Sequence, residues 1–329
     1  MPKMSSEAAA PGRRMTLHGP TMGTRWSVSI DVGNAVDLSA LQQTLAVAVE
    51  QVDQQMSPWK PDSDLARLNR AAVGEWVALP AEMLEVLDCA LDVNRLSAGA
   101  FDPCVGALVD AWGFGAVRDA PDAQAIRLAR EAMPVAAHEC IELDGPAGRA
   151  RKHSPLQLDL CGIAKGYAVD RMALVLQQHG VRHALAALDG ELRAVGAQAS
   201  GKPWAVALER PEAGRRAVHG VIALEDLAVA TSGDYRRYLD VEGARLAHTM
   251  DPRRRAPVRN MVASVTVLAR TCMRADAWAT ALLVAGADEG LAMAQGMRMD
   301  VLYLLRRAER LTEVGLGRFD QSGHNSTNS

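Results

Sequence analysis

At 329 residues, 49% of them hydrophobic, the chain has apolar content enough for a sizeable buried core, in one large domain or two closely packed ones. Its 36 Lys+Arg against 39 Asp+Glu give a formal net charge of -3, so the balance carries neither a nucleic-acid footprint nor a strongly acidic surface. Five cysteines, Cys89, Cys104, Cys140, Cys161 and Cys272, are odd in number and lack a C-x-x-C spacing, which speaks against a disulfide framework or a structural zinc site and for reduced, mostly buried thiols.

No run approaches the roughly 18 apolar residues that span a bilayer, so no transmembrane segment is expected. Met1 to Arg14 has basic residues with no apolar stretch behind them and no cysteine for lipid attachment. As written the chain reads as cytoplasmic; a start trimmed of an export signal would read the same way. Residues 1–14 and the polar tail 321–329, QSGHNSTNS, are expected to be disordered, with one folded domain over 15–320 between them.

RWSVSI (25–30) alternates as a strand does, and Leu38 to Met56 repeats apolar residues at helical spacing behind Asp37, a candidate N-cap. MSPWKPDSDLARLN (56–69) then forms a proline-punctuated loop in which Asp62 or Ser63 can cap a following turn. Trp59 in that loop is either a wall for a flat ring system or a hydrophobic plug. A second helix covers about Ala81 to Ser97 and stops at Gly99. LQLDL (156–160) is predicted to be a strand, followed by the turn Cys161-Gly162-Ile163, a helix from about Ala164 to His179 with Gly180 just past its end, and a strand at HALAAL. WAVALE (204–209), AVATS (228–232) and VASVTVLA (262–269) read as further strands, and 210–218 as an exposed insertion. A helix from about Met273 to Val284, closed by Gly286, a short helix to about Gln295 and a strand at DVLYLL (300–305) complete the chain. Without strict βαβ alternation the pattern favours an α+β fold, mixed sheets with packed helices, over a doubly wound one.

Four places can carry chemistry. Asp276 and Thr280 are four residues apart on one helix face, two hard oxygen donors that make either half a magnesium site or an ordinary surface pair. In DLCGIAKGYAVD (159–170) glycines precede a helix whose free amides can receive an anion, with Lys165 beside them; the alternatives are a turn that needs glycine for packing and a solvated lysine. His248, two residues ahead of Asp251-Pro252 in its turn, is a candidate base oriented by a carboxylate, or simply turn chemistry. Trp59 is the fourth, and the other histidines receive no role.

These signals occur in an order that resembles the ApbE family of FAD:protein FMN transferases from about Gly19 to Arg307. The pieces are GPTMGTRWSV, MSPWKPDSDLARLN, AFDPCVGALVDAWGFG, LDLCGIAKGYAVD, GKPWAVALERP, VATSGDYRRY, HTMDPRRRAPV and TVLARTCMRADAWATAL. The resemblance implies an α+β fold with FAD as substrate in a cleft and Mg2+ near its pyrophosphate. It implies that Met22, Trp59, Ala100, Phe101, Asp102, Tyr167, His248 and Met250 lie on or beside flavin-contacting positions. Asp276 and Thr280 fall on metal-ligand positions, and Ala164 on one that supplies a backbone carbonyl. It also implies transfer of FMN to a Ser or Thr hydroxyl of an acceptor flavoprotein, within a pattern Asp-Gly-x-Ser/Thr-Gly/Ala-Ala/Thr-Ser/Thr. Such a hydroxyl needs a base or strict positioning, a task assigned here to His248 oriented by Asp251. An FAD pyrophosphatase and a non-catalytic FAD carrier are the competing expectations. Three departures stand out: Cys161 for a small Gly or Ser, Asp189-Gly190-Glu191 for a Gly-Gly-Asn-like run, and Arg253-Arg254-Arg255 for Arg-Thr-Gly, which adds positive charge near the expected cleft mouth.

Overall fold

An eight-stranded antiparallel sheet organises the chain. Its strands run in the spatial order Arg13–Thr21, Thr24–Val32, Ala184–Leu188, Glu191–Val195, Ala228–Gly233, Val262–Ala269, Asp300–Arg307 and Arg310–Leu316. The computed structural model describes residues 13–32, 36–133, 136–212, 217–234, 238–241, 244–307 and 310–320. The first hairpin closes through Met22 and Gly23, at φ 45° and 70°, the left-handed pair that a two-residue hairpin turn requires. In its second strand Trp26, Val28 and Ile30 alternate into the core, as the sequence predicts.

Three helices, Leu38–Met56, Ala164–Gln178 and Cys272–Gly296, pack on one another and onto the sheet. The hairpin Trp204–Glu209 and Val218–Leu224 supplies Trp204, Val206 and Leu224 to a separate apolar cluster with Ala194, Val229 and Leu268 of the sheet. Leu208 of the same hairpin packs with Leu302 and Leu304. Val262–Ala269 therefore contributes to apolar clusters on either side of the sheet and is buried along nearly its whole length, which is why VASVTVLA is an unbroken apolar run.

Two of the helices are joined at their N-termini by exchanged carboxylates. Asp170, on Ala164–Gln178, accepts the amides of Cys272 and Met273, both at 2.9 Å, at the start of Cys272–Gly296. Asp276, on that second helix, accepts the Gly166 amide of the first at 2.9 Å. Each helix thus satisfies donors that its partner leaves open. The approach is close enough that a Cβ on Gly166 would lie 2.4 Å from the Cys272 carbonyl oxygen and 2.8 Å from Asp276 Cβ.

Asp37 caps the first helix through the amides of Ser39 and Ala40, and Ser63 caps Asp64–Arg70 through Ala66. The expected break at Gly286 is present, at φ 79°, inside the continuous element Cys272–Gly296. LQLDL is a correction: it is extended but joins no sheet. Asn69 holds Leu158 by both its N–H and its C=O, and around a single bridge to Val105 the Gly106 amide donates to Gln157 and the Asp159 amide to Pro103. Arg13 and Arg14, expected to be disordered, instead pair with Val32 and Asp31 in the first hairpin. Residues 1–12, 213–216 of the insertion and the tail 321–329 lie outside the described residues. All five cysteines are free, with Cys89, Cys104 and Cys272 buried. Among the described residues no helix is long and apolar enough to cross a membrane.

Two tests of stability follow from these contacts. Gly166→Ala is expected to cost about 1–3 kcal/mol through overpacking, read by urea unfolding, and an unchanged midpoint would contradict the close helix contact. For Asp102, burial lifts the carboxyl from its ordinary 3.8 to about 6, against the lowering effect of the Cys104 amide that donates to it at 2.7 Å. A raised carboxyl pKa favours the protonated folded form, so this contribution is complete below about pH 4 and is lost as pH rises to about 6. Asp102→Asn should therefore gain on the wild type across that interval, by up to about 3 kcal/mol above pH 6. A stability difference between the two proteins that stays constant from about pH 4 to pH 7 would rule this out.

Candidate active site

The turns at one edge of the sheet and the N-termini of the joined helices enclose a cleft of about 520 Å³. Met22 enters it from the first hairpin turn, where positive φ at Met22 and Gly23 presents the side chain. Trp59 lines it while remaining 49% exposed, which makes it a wall of the cleft and not a plug of the core. Ala100, Phe101 and Asp102 supply a buried side of the cleft, held by Asn94 Nδ2 donating to the Phe101 carbonyl at 2.7 Å and by Ser97 Oγ accepting its amide at 3.0 Å. His248 and Met250 also line the cleft.

Asp276 and Thr280 meet in the same cleft from consecutive turns of Cys272–Gly296. Asp276 is 4% exposed, and Thr280 Oγ1 lies 3.0 Å from Ser232 Oγ of the sheet. Gly162 matters here because a Cβ in its place would stand 3.2 Å from Phe101 and 3.3 Å from Thr280 Oγ1, so glycine lets the turn approach both walls. Lys165 Nζ donates to Glu191 Oε1 at 2.8 Å and lies 3.7 Å from Asp189 Oδ2. Glu191 is placed by a two-residue hairpin connection, Asp189-Gly190, that sets it opposite Leu188.

Charge in this cleft is unbalanced. Among the described lining residues there are six carboxylates, Asp102, Asp159, Asp189, Glu191, Glu209 and Asp276, and one lysine, Lys165. Burial raises the Asp276 carboxyl pKa, as does the charge of Glu191, against the lowering influence of Lys165 and the Gly166 amide. Glu191 is raised by its own burial, which the adjacent ammonium only partly offsets. Burial disfavours the charge on Lys165, but Glu191, Asp276 and Asp189 together hold its pKa above the ordinary lysine value. One ammonium among six carboxylates gives little attraction to an anion, and a divalent cation held at Asp276 and Thr280 would relieve the excess negative charge. The donor set fits Mg2+: hard oxygens, few of them from protein. Among the described residues no three His, Cys, Asp or Glu side chains gather as a metal-binding group.

Three of the expected residues stand outside the cleft lining. Tyr167 is buried and donates its hydroxyl to Glu85 Oε2 at 2.9 Å. Ala164 is buried in the first turn of its helix. Asp251 Oδ1 accepts the amides of Arg253 at 3.0 Å and Arg254 at 3.2 Å, tying the turn that carries Met250 and Pro252 into the cleft. The helix start offers less to an anion than expected, since the Ala164 amide donates to Leu160 and the Gly166 amide to Asp276. The arginine run also works differently from an open patch of positive charge. Arg253 pairs with both carboxylate oxygens of Glu289, and Arg255 donates to the carbonyls of Arg130 and Met133 at the end of the helix Ala123–Ala132.

Phe114 and Ser232 also line the cleft, and no local motif in the sequence marks either as a site residue. Phe114 sets its ring edge-on to His248, with centroids 6.5 Å apart. The only sequence signal for it is a rare phenylalanine between two glycines in WGFG.

The chain matches the model of the ApbE family over residues 22–320. It is 37% identical over 313 residues to a protein of Vibrio cholerae named FAD:protein FMN transferase, covering 94% of this chain and 92% of the relative. Among solved structures it resembles the flavin transferase ApbE from Vibrio cholerae, with a TM-score of 0.85 and 34% identity over 94% of this chain and 99% of the other. It also resembles the apo form of Pseudomonas stutzeri flavinyl transferase ApbE, with a TM-score of 0.82 and 32% identity over 94% and 96% of the two chains. A fold with strands and helices segregated about one antiparallel sheet and an acidic cleft at its edge accords with these likenesses, and the chain belongs to the ApbE family.

Proposed function

We propose that this protein transfers the FMN half of FAD to a Ser or Thr hydroxyl of an acceptor flavoprotein and releases AMP. One observation carries the reading: a single cleft joins aromatic and apolar walls suited to a flat ring, Met22, Trp59 and Phe101, to a charged floor of Asp276, Thr280, Lys165 and Glu191. The family membership supports the same activity. The acceptor oxygen forms a bond to the FMN-side phosphorus, the bond from that phosphorus to the bridging oxygen breaks, and AMP leaves with that oxygen. The hydroxyl proton passes to a base.

The protein's residues divide this work. Met22, Trp59, Phe101 and Met250 hold the ring and exclude water from its faces. Lys165, held by Glu191 at 2.8 Å, faces the phosphates. His248 takes the hydroxyl proton on its imidazole, with Phe114 packed edge-on against it. Asp251 serves by holding its turn, and Asp102 by presenting a buried carboxyl at the flavin wall. Asp276 and Thr280 would hold Mg2+ with the pyrophosphate oxygens. The ion, when bound, would supply Lewis-acid polarisation and charge neutralisation at the phosphates.

Purified protein incubated with FAD, Mg2+ and an acceptor peptide bearing Asp-Gly-x-Ser/Thr is expected to give a fluorescent peptide band. Free FMN without labelling would replace the transferase reading with a hydrolase one, and intact FAD with a carrier. His248→Ala should lower the rate by about 10²–10⁴-fold, the usual worth of a general base, with FAD binding within a few-fold of wild type. An active His248→Ala protein would end that assignment. EDTA is expected to abolish labelling and added Mg2+ to restore it. Thr280→Val should raise the Mg2+ concentration needed for half-maximal rate by at least about tenfold, since it deletes one of few oxygen donors; an unchanged requirement would remove Thr280 from the metal site.

A further inference from the structure

Glu191 carries a feature that the functions above do not use. It is 3% exposed and lines the cleft with Asp276 and Thr280. Its Oε1 accepts from Lys165 Nζ at 2.8 Å, while its Oε2 is buried and has no hydrogen-bond partner. A carboxylate oxygen taken out of water is normally met by a donor, so an orphan of this kind marks a place where a donor arrives with a ligand. Lys165 holds the other carboxylate oxygen, and the hairpin at Asp189-Gly190 sets the backbone position of Glu191. The carboxylate lies near enough to Asp276 for its charge to disfavour ionisation there.

We propose that Glu191 Oε2 accepts a hydrogen bond from a water molecule carried by the divalent cation at Asp276 and Thr280, so that Glu191 is a positioning residue for the metal. This rests on the metal-dependent reading above. Mg2+ gives up its waters reluctantly and usually keeps several when bound by one or two protein ligands. Those waters present polarised O–H donors around the ion, and a fixed, charged acceptor beside them orients the hydrated cation and adds to its affinity. Lys165 then has two tasks: it faces the phosphates, and it holds the carboxylate in place. The hairpin that carries Asp189-Gly190-Glu191 thereby becomes part of the metal site although it supplies no ligand to the ion.

The test measures metal binding without turnover. Mn2+ is titrated into the full-length protein with FAD and no acceptor, and free Mn2+ is followed by electron paramagnetic resonance. Glu191→Gln, close in shape, is expected to weaken Mn2+ binding roughly tenfold to a hundredfold, the range found for outer-shell partners of bound metals. FAD binding in EDTA is read from flavin fluorescence for both proteins, the Mn2+ titrations are run with both saturated in FAD, and a weakening that vanishes at saturation overturns the inference. Equal Mn2+ affinity in the two proteins overturns this inference and leaves the proposed function standing; a wild type that takes up no Mn2+ with FAD overturns both. As a measurement independent of the variant, wild-type protein with Mn2+ and FAD is examined in 17O-labelled water. A 17O coupling from water on the ion is expected, and its absence overturns the proposal.

Discussion

The exchange of carboxylates between two helix N-termini is the constraint on which the site depends. Asp170 and Asp276 each accept amides of the other's helix, and Gly166 lets the backbones approach closely enough for the second of these bonds. That arrangement removes orphan donors from both helix starts. It also holds Asp276 buried against Gly166, with Thr280 one turn further along beside Gly162. The carboxylate that helps to join the helix pair, Asp276, is therefore also one that lines the cleft.

A second consequence concerns charge. Six carboxylates and one lysine along a single cleft would be a poor receptor for an anionic substrate without a cation. The fold maintains that imbalance because each group is held by packing or by backbone donors: Asp102 by the Cys104 amide, Asp276 by the Gly166 amide, Glu191 by its hairpin. Such strained electrostatics are common where a ligand completes the structure. The arginine run at 253–255 shows the opposite case, in which conspicuous positive charge is absorbed by Glu289 and by helix-terminal carbonyls and contributes to the turn beside the cleft.

Much of the site was legible in the chain because its signals are local. The spacing of Asp276 and Thr280 fixes a shared helix face, Gly162 and Gly166 announce close backbone approach, and Asp37 and Ser63 cap the helices they precede. The strand expected at LQLDL was not realised, because alternation records extended backbone and says nothing of whether a partner strand is present. Phe114 is not legible in the chain for a related reason: its ring meets His248, a residue far along the sequence.

The sequence by itself determined the α+β class, the positions of the main helices, the free thiols and the family to which the chain belongs, since periodicity, capping residues and ordered motifs are carried within short windows. Tertiary structure decided which of these residues share a cleft and what charge they see there. It turned Trp59 into a wall, drew Tyr167 to Glu85 and Asp251 into its turn, and left one oxygen of Glu191 buried without a donor. The physical reason is that burial and Coulomb interactions depend on distances between segments remote in sequence, and those distances exist only once the sheet and the joined helices have closed around the site.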